Sequence, residues 1–268
     1  GLTMGAISAG IPFIFLPAGP MLRGNYAGRA LGSGSDAWKF WDERRAGRIS
    51  QEEWLGVEGG IARSYGHCMT MGTASTMTAI ADAMGLTLPG ASSIPAVDSG
   101  HQRMSAACGR RIVDMVWEDL TPDRIITDAA CRNAAIVAMA TGCSTNAVVH
   151  LIAMARRAGV NMQLEDLDVL GRTTPLIANV RPSGKDYLME DFYYAGGLPV
   201  VIKEIANHLR SNSVSVNGSS IIENSEKARN WNPEVIYPAN KPIIDEGGIT
   251  VVIGNICQDE AVIKVSAE

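Results

Sequence analysis

The segment from Thr73 to Met84, Thr-Ala-Ser-Thr-Met-Thr-Ala-Ile-Ala-Asp-Ala-Met, carries one β-branched aliphatic and no aromatic side chain, and Gly85 follows it directly. Such a run reads as a helix closed by a left-handed glycine cap. A helix so poor in bulky side chains gains little from its own surface. It is stabilised by lying close to neighbouring elements, so the chain must build a tightly packed interior around it. The material for that interior is present: 46% of residues are hydrophobic and only 19% charged, which excludes an intrinsically disordered polymer. With 23 basic and 28 acidic side chains the net charge is −5, without the clustered Lys and Arg of a nucleic-acid binder.

Further helix signals punctuate the chain. Ser50 and Glu53 have capping-box spacing and predict a helix running toward Ile61 and Arg63. Thr121 with Pro122 predicts a helix through Cys131 to about Ala140, broken by Gly142 to Asn146. A second helix is expected over Ala147 to Arg157, with Arg156 and Arg157 suiting its negative end, and another from Pro199 to about Leu209. Ile11 to Leu16 and Leu176 to Val180 read as short buried strands. No charged side chain precedes Arg23, yet Pro12, Pro17 and Pro20 argue against a membrane span or a secretory leader. Opening on Gly1 within apolar sequence, the chain reads as part of something longer.

These elements predict an α/β fold: a three-layer domain with a largely parallel sheet over residues 1–210. The Ser-, Asn- and Pro-rich stretch 211–247 reads as a linker or irregular crossover. Ile249 to Ile253 and Ala261 to Val265 then read as the first strands of a β-rich second domain, residues 248–268.

Candidate chemistry gathers at Tyr65-Gly66-His67-Cys68-Met69-Thr70-Met71-Gly72, which sets a cysteine in a glycine-flanked loop just ahead of the small-residue helix. The free N–H groups of a helix start favour a thiolate that binds metal or attacks carbon. A buried structural cysteine is the competing reading on spacing alone. Cys108, Cys131, Cys143 and Cys257 are too scattered to form a metal motif, and an odd count of five fits a reducing cytoplasm better than a disulfide framework. The hydroxyl-rich break Gly142 to Asn146 is either an anion-binding loop or a plain helix boundary. Pro89 to Pro95 reads as a turn, His150 as a packed core histidine, and His101 with Asp98 as a weak acid/base candidate.

Four strings carry a broader likeness: YGHCMTMGTASTMTAIADAMGLTLPGASS, AGPMLRGN from Ala18, MATGCSTNAVVHLIAMARRAG from Met139, and ANVRPSG from Ala178. Together they resemble the dihydroxy-acid and phosphogluconate dehydratase family, closest to its pentonate branch, the arabinonate and xylonate dehydratases. Dihydroxy-acid dehydratases usually show Cys-Gly-Gly where this chain has Cys68-Met69-Thr70, so the resemblance favours a sugar acid over a branched dihydroxy acid. It implies a hydro-lyase with a 2Fe-2S cluster and Mg2+, in which Cys68 matches the last of three cluster-ligating cysteines, with the neighbouring His67 read as shaping the shell around it. The family's other two cysteines, one in a Cys-Asp-Lys motif that also serves magnesium, lie upstream of this sequence, and its serine base lies downstream. The resemblance further implies a barrel-like second domain and a homodimer or homotetramer. The remaining alternatives are a branched-chain dihydroxy-acid dehydratase, a fragment inactive without the missing ligands, and a cofactor-free anion-binding domain.

Overall fold

A computed structural model describes residues 1–267, so Glu268, the last residue of the expected second-domain segment, lies outside it. The chain is predominantly helical. From the amino terminus run α1 (Leu2–Ala9), the hairpin β1 (Gly24–Tyr26) and β2 (Arg29–Leu31), α2 (Gly34–Arg45), α3 (Gln51–Ile61) and α4 (Thr73–Ala83). The long α5 (Ser99–Trp117), a single turn α6 (Pro122–Ile125), α7 (Asp128–Ala140), α8 (Asn146–Arg157) and α9 (Leu164–Thr173) follow. Three short helices, α10 (Met189–Tyr194), α11 (Gly197–Glu204) and α12 (Ile221–Ser225), precede a closing hairpin of β3 (Thr250–Val252) and β4 (Ala261–Ile263).

The core is built around α4 and α7. Ala79 and Ala83 of α4 and Ala134, Ala135 and Ala138 of α7 are all buried, so small side chains fill much of the interior around this pair of helices. Larger residues close the surroundings: Met71, Leu86, Ile125, Leu151, Leu167 and Phe192 are almost wholly excluded from solvent. Gly85 ends α4 at φ +80, as the sequence requires, and the Ser50–Glu53 capping box opens α3 with both reciprocal bonds in place.

Several expectations need correction. The described residues form an α/β arrangement whose sheets are two antiparallel two-stranded hairpins, and the largely parallel sheet is not formed among them. Ile11 to Leu16 is extended but half-buried, tied to the fold by the Phe15 N–H bond to the Leu86 carbonyl (2.8 Å). Pro12 and Pro17 remove donors from its ends and leave no ladder to join. Leu176 to Val180 is buried as expected, yet it makes only isolated bridges to Ile244, Ile236 and Tyr187. The helix predicted from Thr121 to Ala140 is two helices, because Thr127 turns out of helical geometry and caps α7 by accepting from the Ala130 N–H at 3.3 Å.

The stretch 211–247 is irregular apart from α12, and it packs onto the core. Val216, Val235 and Ile236 are buried. The Asn133 amide of α7 donates to the Arg210 carbonyl (2.9 Å) and accepts from its N–H (2.8 Å), pinning the start of the segment. The closing hairpin lies against α9, where Val251 N–H donates to Asp168 at 3.0 Å.

Gly85 supplies a direct test of this packing. A Cβ there would sit 2.7 Å from Ser215 Cα, whereas Gly159, also in the left-handed region at φ +78, has open space around it. Gly159→Ala is expected to lose only the left-handed cost of about 1–2 kcal/mol. Gly85→Ala is expected to add an overpacking cost of about 1–3 kcal/mol. Urea unfolding of both variants reads the difference; equal losses would contradict the close approach.

Candidate functional site

The loop from Gly66 to Gly72 is held in place by backbone. Its strand-like start pairs with Gly19 to Met21: the His67 N–H donates to the Gly19 carbonyl (2.9 Å), and Met21 N–H to the His67 carbonyl (2.8 Å). Gly66, at φ +127, permits this approach, since a Cβ there would lie 2.5 Å from Met21 N. On the other side, the Met71 N–H donates to the Arg181 carbonyl and the Met189 N–H to the Met69 carbonyl, both at 2.8 Å. Buried Met69 and Met71 anchor the loop and alternate with half-buried Cys68 and Thr70.

Cys68 is thus presented at the head of α4. Its Sγ lies 2.7 Å from Ser33 Oγ, at the start of α2, and 3.0 Å from Thr70 Oγ1. Asp36, one turn into α2, accepts from Gly32 N–H (2.7 Å) and from Arg181 Nη1 (2.8 Å), so an ion pair of two largely shielded side chains fixes α2 against the Arg181–Gly184 loop. Thr73 and Thr76 of α4 meet the Gly142 to Asn146 break: Asn146 Nδ2 donates to Thr73 Oγ1 (2.7 Å), and Ser144 N–H to Thr76 Oγ1 (3.0 Å). Lys264 Nζ and Ser183 Oγ both donate to the Gly142 carbonyl, at 2.9 and 3.1 Å.

The five thiols are not equivalent. Cys131 and Cys143 are sealed in the core, and desolvation pushes each up to about 12, far from thiolate formation at neutral pH. Burial also raises Cys108. Cys257 donates to the Glu260 carbonyl in the closing hairpin (3.0 Å). Cys68 alone combines partial exposure with hydroxyl neighbours able to donate to sulfur.

His67 adds a second mark. Its Nδ1 lies 3.0 Å from the Cys68 carbonyl, which can only accept, so Nδ1 carries the proton. Nε2 is then a buried acceptor without a partner among the described residues. Desolvation lowers this histidine below the usual imidazole range, the Cys68 carbonyl opposing the shift only in part. One buried ring nitrogen is thus left without a hydrogen-bond partner beside the half-buried thiol.

The other sequence candidates fare differently. His150 is exposed on α8 beside a cleft lined by Leu2, Phe15 and Met77, because its helix buries the opposite face through Val148, Leu151 and Ala155. His101 and Asp98 are joined only through backbone: the ring Nε2 contacts the Pro17 carbonyl at 2.8 Å, and the Asp98 carboxylate caps α5 through Gly100 N–H. Pro89 to Pro95 is a turn with a short 3-10 segment over Ala91–Ser93. Gly142 to Asn146, read as either anion loop or helix boundary, is brought against the head of α4. Sequence reading missed Ser33 and Asp36, which sit in a segment with no apolar periodicity to draw attention. Among the described residues, no three His, Cys, Asp or Glu side chains converge as a complete metal site.

With that geometry in view, comparison with known proteins places the chain. A family model described as dihydroxy-acid/6-phosphogluconate dehydratase N-terminal matches residues 1–224. A 6-deoxy-6-sulfo-D-gluconate dehydratase from Pseudomonas putida is 46% identical over 270 residues, covering 100% of this chain and 46% of the relative. An L-arabinonate dehydratase from Rhizobium leguminosarum bv. trifolii is 47% identical over 268 residues, 99% of this chain and 46% of the relative. A dihydroxy-acid dehydratase from Thermodesulfovibrio yellowstonii is 38% identical over 267 residues, 100% of this chain and 48% of the relative. The chain spans about half the length of the curated relatives it matches. A match over most of its residues, carried through the Cys68 loop, α4 and the Gly142 break, makes this chain a member of the dihydroxy-acid/6-phosphogluconate dehydratase family.

Proposed function

We infer that this chain is part of an iron–sulfur hydro-lyase that dehydrates a sugar acid to a 2-keto-3-deoxy acid. The observation that carries the reading is Cys68: the half-buried thiol flanked by two hydroxyl groups stands at the head of α4, in a chain whose sugar-acid dehydratase relatives reach 46% and 47% identity. The 38% identity of a dihydroxy-acid dehydratase, and Met69-Thr70 after Cys68, make a branched dihydroxy acid the second choice.

Dehydration removes the C2 proton and expels hydroxide from C3; the resulting enol then tautomerises to the 2-keto acid. The C2 proton is weakly acidic and hydroxide is a poor leaving group, so both ends of the reaction need charge stabilisation. A 2Fe-2S cluster and Mg2+, when bound, would supply Lewis acidity for that purpose. The residues present fit one corner of such a site. Cys68 would give a thiolate to the cluster, with Ser33 and Thr70 donating to its sulfur, and the unsatisfied Nε2 of His67 is consistent with a further group beside it. Two more cysteines, the magnesium ligands and the base belong outside this sequence, as the family resemblance implies. Asp36 and Arg181 hold α2 and the Arg181–Gly184 loop at fixed positions on either side of the thiol.

The finer architecture follows the same reading. Residues 1–210 would form the first domain, 211–247 the crossover, and 248–268 the opening of a barrel-like second domain. No helix among the described residues is long and apolar enough to cross a membrane, and the five unpaired cysteines fit a cytoplasmic setting.

In the full-length protein purified without oxygen, Cys68→Ser is expected to lose the visible absorbance of an iron–sulfur centre and more than about 100-fold in pentonate dehydration, with its unfolding midpoint little changed. Retention of both colour and turnover would overturn the assignment. Ser33→Ala is expected to keep the cluster but lower its reduction potential, since a sulfur that loses a hydrogen-bond donor is more electron-rich. An unchanged potential would show that Ser33 does not reach the bound sulfur. Steady-state rates with pentonates, a sulfosugar acid and branched dihydroxy acids separate the substrate readings; preference for the branched acids would displace the sugar-acid assignment.

A further inference from the structure

Three stretches of chain far apart in sequence meet at one carbonyl. Gly142 stands just past the end of α7, where its N–H donates to the Met139 carbonyl (3.2 Å) and the Cys143 N–H to the Ala138 carbonyl (3.1 Å), closing the helix. The Gly142 carbonyl itself is left over at the negative end of this 13-residue helix. Both of its lone pairs are filled: one by Lys264 Nζ at 2.9 Å, from 122 residues along the chain, the other by Ser183 Oγ at 3.1 Å. Lys264 directly follows β4, and Ser183 belongs to the Arg181–Gly184 loop.

Lys264 is half-buried and has no carboxylate partner among the described residues. Burial pulls its ammonium below the usual lysine range, with nearby Cys143 opposing the shift only in part. A shielded cation without a counter-charge is unfavourable, and the negative end of α7 offsets part of that cost. The charge therefore serves to hold a backbone group. The junction is also tight, since a Cβ at Gly248 would come 3.2 Å from Gly142 Cα, and Ser266 Oγ lies 3.0 Å from Ser183 Oγ.

Two short paths lead from this junction to Cys68. Along one, the Ser183 loop carries Arg181, whose carbonyl accepts the Met71 N–H of the Cys68 loop (2.8 Å) and whose guanidinium pairs with Asp36. Along the other, Ser144 N–H donates to Thr76 Oγ1 (3.0 Å) and Asn146 Nδ2 to Thr73 Oγ1 (2.7 Å), at the start of α4. The closing hairpin thus reaches the thiol loop through bonds that do not involve the thiol.

We propose that Lys264 is a positioning residue for Cys68: anchored on the Gly142 carbonyl, it fixes the Gly142–Asn146 break and the Arg181–Gly184 loop, and through both the loop and helix head that present the thiol. Its consequence for catalysis rests on the reading of Cys68 as a cluster ligand; the placement of the thiol is measured without iron.

The first measurement is the alkylation of Cys68 by iodoacetamide, followed by peptide mass, in the full-length protein stripped of iron. Lys264→Met is expected to quicken it at least about 3-fold and Lys264→Arg, which keeps charge and donor, to return it to within about 2-fold. Asp168→Ala loosens the same hairpin by removing the acceptor of the Val251 N–H, and is expected to leave the rate unchanged. If circular dichroism shows Lys264→Met unfolded, Lys264→Gln, one bond shorter than lysine, takes its place. In the iron-loaded protein, Lys264→Met is expected to shift the electron paramagnetic resonance of the reduced cluster and to lower kcat at least about 10-fold, with KM within about 3-fold. Combined with Thr76→Val, it is expected to stay within about 2-fold of the worse single variant, because both act along one route. Unchanged alkylation and resonance in Lys264→Met, no recovery in Lys264→Arg, an equal change in Asp168→Ala, or losses that multiply in the double variant would each overturn the proposal. A cluster retained in Cys68→Ser would instead overturn the cluster reading, and the iron-free alkylation rates would still decide the role of Lys264.

Discussion

The contact between α4 and α7 governs this structure. Both helices are almost wholly buried and rich in alanine, so close packing and dispersion in this part of the core depend on small side chains fitting between larger neighbours. The arrangement is intolerant of added volume: a larger residue at buried Ala79 or Ala134 would have to displace packed neighbours. In return, two loops at the same end are positioned by rigid elements. The head of α4 carries Cys68 through the Gly66–Gly72 loop, and the tail of α7 carries Gly142 to Asn146, with Thr76 joining them through the Ser144 N–H. On the proposed reading, a Cys68 thiolate sharing a metal centre with ligands from elsewhere would require such fixed placement.

Around that pair, polar contacts set direction rather than supply most of the stability. The Asp36–Arg181 pair is largely shielded, and its two charges hold α2 and the following loop in one register. Asn133 does the same for the start of the irregular 211–247 segment, with both ends of its amide satisfied by Arg210. The contrast among cysteines follows from the same packing. Those within or beside α7 are driven away from thiolate chemistry by desolvation, while the one on the loop retains hydroxyl neighbours.

Much of the helical framework was legible in the sequence, because caps are local chemistry. Ser50 with Glu53, Gly85 and the Gly142 break act within a few residues of themselves, and the structure has them where the spacing implies. Extended segments were not legible in the same way. Ile11 to Leu16 and Leu176 to Val180 have strand composition, but whether an extended run joins a sheet depends on a partner distant in sequence, and here the partners are single residues. The break at Thr127 was hidden because the Thr121–Pro122 start is itself sound; a second cap inside one apolar pattern decided the matter. Helix α5 escaped notice for the opposite reason, since with two buried side chains its inward periodicity is too sparse to stand out. For the site, Cys68 could be singled out from its loop and its resemblance, whereas Ser33 reaches it across 35 residues of chain and only the folded structure joins them.

The central claim is that Cys68 is bound to iron when the whole protein is assembled. Anomalous diffraction at the iron absorption edge, on crystals of the full-length protein grown without oxygen, tests it most directly. The account predicts an iron peak within bonding distance of Cys68 Sγ, at the head of α4. An iron site bound elsewhere, with Cys68 Sγ still between Ser33 and Thr70 as a free thiol, would contradict it.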